Sequence, residues 1–385
     1  MRIGIDASRA ISPQPTGVEN YSLQLIRRLV TLNAQSGADR ELVLYARDRP
    51  GPGVLPDSPR WRLKVMRFPR LWTHVRLSWE MMRDRPDVLF VPGHVIPVVH
   101  PAGSVATIHD LGHLRYPEAY PRSMLKYLAW STDHNVRCAA HLLADSQATK
   151  QDLVNHLGVA PERVTVVYPG LRDPCGPPQD RAAVDRVLAE YGIEGPYVLY
   201  VGTLQPRKNV ERLIEAFAKA RKAGRLRERL VLAGRIGWLP DGILRRLSAA
   251  GEEVTLAGYV PDDHLPALYA GATLFVLPSL FEGFGMPVLE AMACGAPVLA
   301  ADSSSLPEVV GEGGVLFDPL DADALAEAIR WLCEHEAFRE ELRQQGFKQA
   351  RKFTWEDAAR RTLEVLDRVG RGQAAVPDHD AHSGC

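Results

Sequence analysis

Cysteine is scarce, charge is balanced and long apolar runs are missing. The 385 residues include five cysteines, Cys138, Cys175, Cys294, Cys333 and Cys385. They are scattered, odd in number and free of C-x-x-C spacing. That argues against a disulfide framework or a zinc site and for a reducing, cytoplasmic setting. Lys and Arg number 46 against 47 Asp and Glu, a net charge of -1. A general nucleic-acid binder needs a broad excess of positive charge, so nucleic acid is not an expected partner. No run of about 18 apolar residues occurs, so no segment is expected to span a bilayer as a helix. No G-x-G-x-x-G triplet follows the first predicted strand, which argues against a dehydrogenase. No cluster of metal-ligating residues stands out, so no metal site is expected.

What is present is an ordinary globular composition, 46% apolar and 24% charged, long enough for two or three domains. Short apolar runs alternate with amphipathic stretches, the pattern of parallel sheets covered by helices. Strands are expected at 3–6, 41–46, 87–91, 104–109, 141–145 and 163–167, then at 197–201, 230–233, 254–257, 273–277, 297–300 and 315–317. The first residues, Met1-Arg-Ile-Gly-Ile-Asp6, read as a strand and not as a leader. Between the two sets lies Tyr168-Pro-Gly-Leu-Arg-Asp-Pro-Cys-Gly-Pro-Pro178, too rich in Pro and Gly for helix or central strand. The linker is placed there. It divides the chain into an N-terminal Rossmann-like domain, 1–172, and a C-terminal one, 173–352. A closing helix, 353–369, and a tail expected to be disordered, 370–385, follow.

One segment after a predicted strand carries the most chemistry: Pro278-Ser-Leu-Phe-Glu282-Gly-Phe-Gly-Met-Pro287-Val-Leu-Glu290-Ala-Met-Ala-Cys-Gly295. Gly283 and Gly285 allow backbone N–H groups to converge on a ligand, Pro287 suits a helix start, and Gly295 suits a helix end. A Gly-rich loop entering a helix N-terminus is an anion site. Glu282 and Glu290 can accept hydrogen bonds from sugar or ribose hydroxyls. Read alone, Glu282 is equally a solvated loop charge and Glu290 a first-turn carboxylate. A second strand–Gly–helix segment reads Tyr197-Val-Leu-Tyr-Val-Gly-Thr-Leu-Gln-Pro-Arg207-Lys208-Asn209. Asn209 is expected to cap the helix. Arg207 and Lys208 can hold a diphosphate there, or be exposed loop cations.

Together these segments resemble glycosyltransferase family 4, retaining enzymes of the GT-B fold. The likeness rests on the paired Glu282 and Glu290 around G-F-G-M-P-V-L, on G-T-L-Q-P-R-K-N, and on Gly258-Tyr-Val-Pro-Asp-Asp263. Asp145-Ser146 and Thr16-Gly17-Val18 add to it. Ile108-His-Asp-Leu111 and Arg76-Leu-Ser-Trp-Glu80 resemble bacterial mannosyltransferases of surface-polysaccharide assembly. The resemblance implies an α/β fold of two Rossmann-like, doubly wound parallel-sheet domains facing across a cleft. It also implies that the last helices return to the first domain.

The same resemblance implies roles. Glu282 would contact the transferred sugar together with the backbone N–H groups of Phe284 and Gly285. Lys208, with Arg207 nearby, would bind the donor diphosphate; many members carry an Arg where Thr203 stands here, and that cation would be either missing or supplied by Arg207. Glu290 would hold the ribose hydroxyls, Tyr259 and Val260 would lie near the base, and Gly17, on the loop after the first strand, would approach the donor phosphate. His109 would lie by the sugar as a catalytic residue. The implied reaction moves a sugar from a nucleotide-sugar donor to a saccharide or lipid-linked acceptor, with no metal and no further cofactor. Mannose from GDP-mannose is the first expectation; a UDP-sugar donor or a non-catalytic sugar-nucleotide-binding homologue are the alternatives. The stretch 60–79, rich in Arg, Lys and Trp, reads as a loop and helix. It is either a packed helix or a surface for anionic membrane or a lipid-linked acceptor.

Overall fold

The computed structural model describes residues 1–11, 17–172, 175–178, 180–224, 226–238 and 241–373. Thr16 and residues 374–385 of the tail expected to be disordered lie outside them, whereas Gly370, the first residue of that expected tail, ends a helix. Two compact units result.

The first unit comprises Met1–Leu111, Lys126–Gly170 and the chain from Thr354 on. Its strands are β1 (Arg2–Asp6), β2 (Glu41–Ala46), β3 (Trp61–Val65), β4 (Val88–Val91), β5 (Ser104–Ile108), β6 (His141–Ala144) and β7 (Val164–Val166). They pair in the order β3-β2-β1-β4-β5-β6-β7, every neighbour parallel. Alternation along the central strands explains why they read as unbroken apolar runs. Ile3, Ile5, Leu42, Leu44, Val88 and Phe90 pack on one face with the helices Gly17–Gln35 and Trp355–Gly370. Val43, Tyr45, Leu89 and Val91 pack on the other with Trp72, Leu77 and Met81. Both faces are covered, as a parallel sheet requires. Each such side chain, taken fully out of water, contributes about 1.5–3 kcal/mol.

The second unit comprises Gly112–Leu125 and Leu171–Phe353. Its strands are β8 (Tyr197–Val201), β9 (Arg229–Ala233), β10 (Val254–Gly258), β11 (Leu274–Leu277), β12 (Val298–Ala301) and β13 (Gly314–Phe317). Their order is β10-β9-β8-β11-β12-β13, again parallel throughout. The order reverses between β1 and β4 in one sheet and between β8 and β11 in the other. Loops leaving the C-terminal ends of those strands diverge and leave room for a ligand.

Three local expectations change. Residues 112–125 group with the second unit, although they precede the linker; within that unit the Trp238 indole N–H donates to the Ala119 carbonyl at 2.6 Å. The stretch 60–79 contains the edge strand β3, a π-helical run Trp72–Leu77 and the start of the helix Ser78–Arg83. The helix Arg181–Glu190 had no counterpart in the sequence reading.

Candidate donor site and the His109 site

In the second unit, the loops that follow β8 and β11 meet at the switch point. After β8 comes a single 3-10 turn, Pro206–Lys208, and then the helix Val210–Ala223. Asn209 stands at the cap position but does not cap: it adopts φ 58° and makes no side-chain cap. Its amide instead donates to the Pro278 carbonyl at 3.0 Å and the Pro319 carbonyl at 2.9 Å. That ties the β8 loop to the β11 loop.

Glu282 sits in the β11 loop, 6% exposed. Lys208 Nζ donates to both carboxylate oxygens, at 2.6 and 2.7 Å. Ser279 Oγ donates to Oε1 at 2.6 Å, and Arg207 Nη1 stands 3.5 Å from Oε2. Burial pushes the Glu282 carboxyl up, but Lys208 and Arg207 outweigh it and hold it below its ordinary value. Glu282 is thus an ionised, immobilised carboxylate. Arg207 is buried too and spends Nη1 on the Phe281 carbonyl. It braces the loop; it is no free surface cation.

Ser303-Ser304-Ser305, after β12, fixes the same loop. Glu282 N–H donates to Ser304 Oγ at 2.8 Å. Ser305 Oγ is in reach of the carbonyls of Glu282, at 3.0 Å, and Phe284, at 2.8 Å. Phe284 is buried, its ring edge-on to Phe353 at 5.5 Å. Gly285 takes φ 105° at the N-cap of the helix Met286–Ala293. A side chain there would be strained and would meet Leu306 at 2.7 Å.

Glu290 is not a first-turn charge. It lies on the buried side of that helix, 4% exposed. Arg172 donates to Oε1 through Nε at 3.0 Å and through an Nη. Tyr269 Oη donates to Oε2 at 3.1 Å. Arg172 also pairs with Asp262, at 2.5 Å, which joins Glu290 to the segment after β10. On that segment Val260 is buried and Tyr259 is exposed, with the Arg235 guanidinium 4.3 Å above its ring. Glu282 with Lys208 and Arg207 therefore forms one constellation, and Glu290 with the residues after β10 another. Both belong to the second unit.

His109 and Gly17 belong to the first unit. Gly17 begins the helix Gly17–Gln35 and does not sit on a free loop; a Cβ there would meet open space. His109, Pro92 and Asp145 follow three adjacent strands, β5, β4 and β6. His109 Nδ1 is 2.6 Å from Asp145 Oδ2 and Nε2 is 2.9 Å from the Pro92 carbonyl. Both ring nitrogens face acceptors, an arrangement only the protonated ring satisfies. Burial pulls the His109 pKa down, but the Asp145 carboxylate outweighs it and the value is raised. Tyr21 packs edge-on against the ring at 4.7 Å.

Comparison with known proteins decides the family. A model described as glycosyl transferases group 1 matches residues 188–349, and one described as glycosyltransferase family 4 matches 15–173. The chain is 31% identical to O-antigen chain mannosyltransferase B of Escherichia coli, over 94% of this chain and 98% of that protein. The chain belongs to glycosyltransferase family 4. Solved structures agree on the GT-B fold. Sucrose-phosphate synthase of Thermosynechococcus elongatus superposes with a TM-score of 0.72 at 21% identity, covering 97% of this chain and all of that one. Anabaena HepE in complex with UDP-glucose gives 0.70 at 19%, covering 95% and 99%. This family 4 glycosyltransferase resembles mannosyltransferases.

Arg172, Tyr269, Ser279 and Ser304 escaped the sequence reading. Arg172 lies in the Pro/Gly-rich linker, where only a chain break was legible. Asp145 was legible as a residue ahead of a helix, not as the partner of His109. Among the described residues no helix is long and apolar enough to cross a membrane.

Proposed function

We propose that the protein transfers a mannosyl residue from GDP-mannose to a saccharide or lipid-linked acceptor, with retention of anomeric configuration. The observation that carries this reading is Glu282, held ionised at the switch point by Lys208 and Arg207, beside a Gly-rich helix entry. The mannosyltransferase of Escherichia coli, similar over nearly the whole chain, supports mannose. A UDP-sugar donor is the second reading, favoured by the UDP-glucose complex of Anabaena HepE.

In this reading Lys208, Arg207 and the N-terminus of the helix Met286–Ala293 offset the charge of the donor diphosphate. Glu282 and the backbone N–H groups of Phe284 and Gly285 orient the sugar. Glu290 accepts from the ribose, and Tyr259 and Val260 border the base. The C1–O bond to the diphosphate breaks as the acceptor oxygen joins C1 on the same face, and the acceptor proton passes to the departing phosphate oxygen. His109, charged, spends its two N–H groups on Asp145 and the Pro92 carbonyl, so it acts through its charge and does not act as base. No divalent ion takes part, so a chelator should leave turnover intact. A trapped glycosyl-enzyme or an inverted product would contradict the displacement. The deciding experiment is product formation from a panel of nucleotide sugars.

The acceptor side of the reading includes an anionic membrane. Leu71, Val75, Trp79 and Met82 are exposed at helical spacing along 71–83. Arg67, Arg70 and Arg83 are exposed beside them and, among the described residues, meet no carboxylate. Apolar and aromatic side chains flanked by free cations suit anionic headgroups. Co-sedimentation with phosphatidylglycerol vesicles, lost on changing the three arginines to Glu, is the expected result; equal binding to phosphatidylcholine vesicles would contradict it.

A further inference from the structure

Arg172 has no role in the sequence-derived site, yet the Glu290 constellation is built around it. It lies two residues after Gly170, and the described residues of the linker form no helix or strand. Its guanidinium spans two carboxylates. Nε and one Nη lie on Glu290 Oε1, and the other Nη lies on Asp262. The side chain is 19% exposed, so the ion pair to Glu290 is shielded from bulk water.

A carboxylate offers about four acceptor sites over its two oxygens. Arg172 takes the sites on Oε1 with two N–H groups, and Tyr269 takes one on Oε2. One site on Oε2 is left, enough for a ribose hydroxyl. A protonated carboxyl would instead carry its own O–H and lose acceptor capacity. Burial drives Glu290 toward that state: its pKa is raised by desolvation, against the opposing pull of Arg172 and Tyr269. Among the described residues, the titratable and charged groups packed around it are few. Arg172 and Cys175 face it from the linker, and Asp262 from the segment after β10. Tyr269 faces it from the helix Leu265–Gly271, and Cys294 from the end of its own helix. Arg172 is the one cation among these.

We infer that Arg172 is a positioning residue for donor recognition: it keeps buried Glu290 ionised and turned so that Oε2 accepts a hydroxyl of the donor ribose. This rests on the reading that Glu290 contacts the ribose. Arg172 does not touch the nucleotide in this scheme; it acts through Glu290. Its planar fork sets three N–H groups on two carboxylates in fixed directions, and a lysine ammonium, a point charge on a flexible stem, does not fix those directions.

The test compares each nucleoside diphosphate, GDP and UDP, with its 2',3'-dideoxy analogue by calorimetric titration from pH 6 to pH 9. The affinity ratio of the two isolates the diol contact. For the nucleotide that binds, the wild type should prefer the diol by about tenfold, the scale of a hydrogen bond to a charged group, at every pH. Arg172→Gln should lose the preference at pH 6 and regain it as pH rises and Glu290 ionises. Arg172→Lys should fall between, and it carries the test if the Gln variant does not fold. Glu290→Gln should show no preference at any pH. A preference abolished by Glu290→Gln but pH-independent in both Arg172 variants would overturn the role of Arg172 alone. A wild type without preference, or a preference that survives Glu290→Gln, would overturn the ribose reading and this inference with it.

Discussion

Lys208 Nζ lies 2.6 and 2.7 Å from the two carboxylate oxygens of Glu282. The residues are 74 apart in sequence, and the strand order makes them neighbours. β8 and β11 pair directly although an α-β-α-β-α passage separates them along the chain, so their exit loops share one crest.

Removing the cation tests this pair. Lys208→Met leaves Glu282 buried with only Arg207 and Ser279 to hold its charge. Losing one partner of a buried pair costs about 3–5 kcal/mol, and the remaining partners put the expected loss at the low end. Urea unfolding at pH 7 measures it. The lowered pKa of Glu282 also fixes the pH dependence. Stability from this carboxylate is present above the ordinary Glu value of about 4.3 and is lost as pH falls through the lower folded value. The gap between wild type and variant should therefore narrow in that acid range.

Asp145 should set the charge of His109. The raised imidazole pKa means that the ring's contribution to stability is present below about pH 6.5 and is lost as pH rises through the folded value. Asp145→Asn should lower the His109 pKa by about one unit or more, the effect of losing a close carboxylate. Titration of the ring by NMR reads this directly, and an unchanged midpoint would show that Asp145 is not the cause.

The roles given to Glu290 and His109 differ in kinetics. Glu290→Ala should mainly raise the KM for the donor, because it removes a contact to an unreacting part of the substrate. His109→Ala should mainly lower kcat, by about a hundredfold, the scale of one lost electrostatic contribution. Steady-state kinetics on both variants decides, and the opposite ordering would reverse the assignment.

Gly285 should tolerate no side chain. Gly285→Ala places a Cβ at φ 105° against Leu306, at a cost of about 1–3 kcal/mol. Because Gly285 opens the helix that carries Glu290, the melting temperature and kcat/KM should fall together. A variant as stable and active as the wild type would mean that the loop relaxes without cost.

Much of this site was legible from punctuation. Gly283, Gly285, Pro287 and Gly295 bracket a helix start and stop, which puts Glu282 on the loop and Glu290 on the helix; that both are buried, and what they pair with, is not written in that punctuation. The central strands announced themselves because both of their faces are buried. β3 did not: Trp61-Arg-Leu-Lys-Val65 is an edge strand whose alternating cations protect it from pairing, and the same cations make it read as a solvated loop. Arg172 was hidden for another reason. The Pro and Gly residues around it signal irregular backbone, and irregular backbone says nothing of where a long side chain reaches. Likewise Asn209 has the right residue type and position for a cap, yet tertiary contacts turn its amide to Pro278 and Pro319.

The central claim is that the ionised Glu282 of the second unit serves transfer of a sugar from a nucleotide donor. Mass spectrometry and NMR of the saccharide product, after incubation with GDP-mannose and with UDP- and ADP-sugars in parallel, test it most directly when run beside Glu282→Gln. The account predicts a mannosylated product that keeps the donor's anomeric configuration and is lost in the variant. A product made equally well by Glu282→Gln would contradict it.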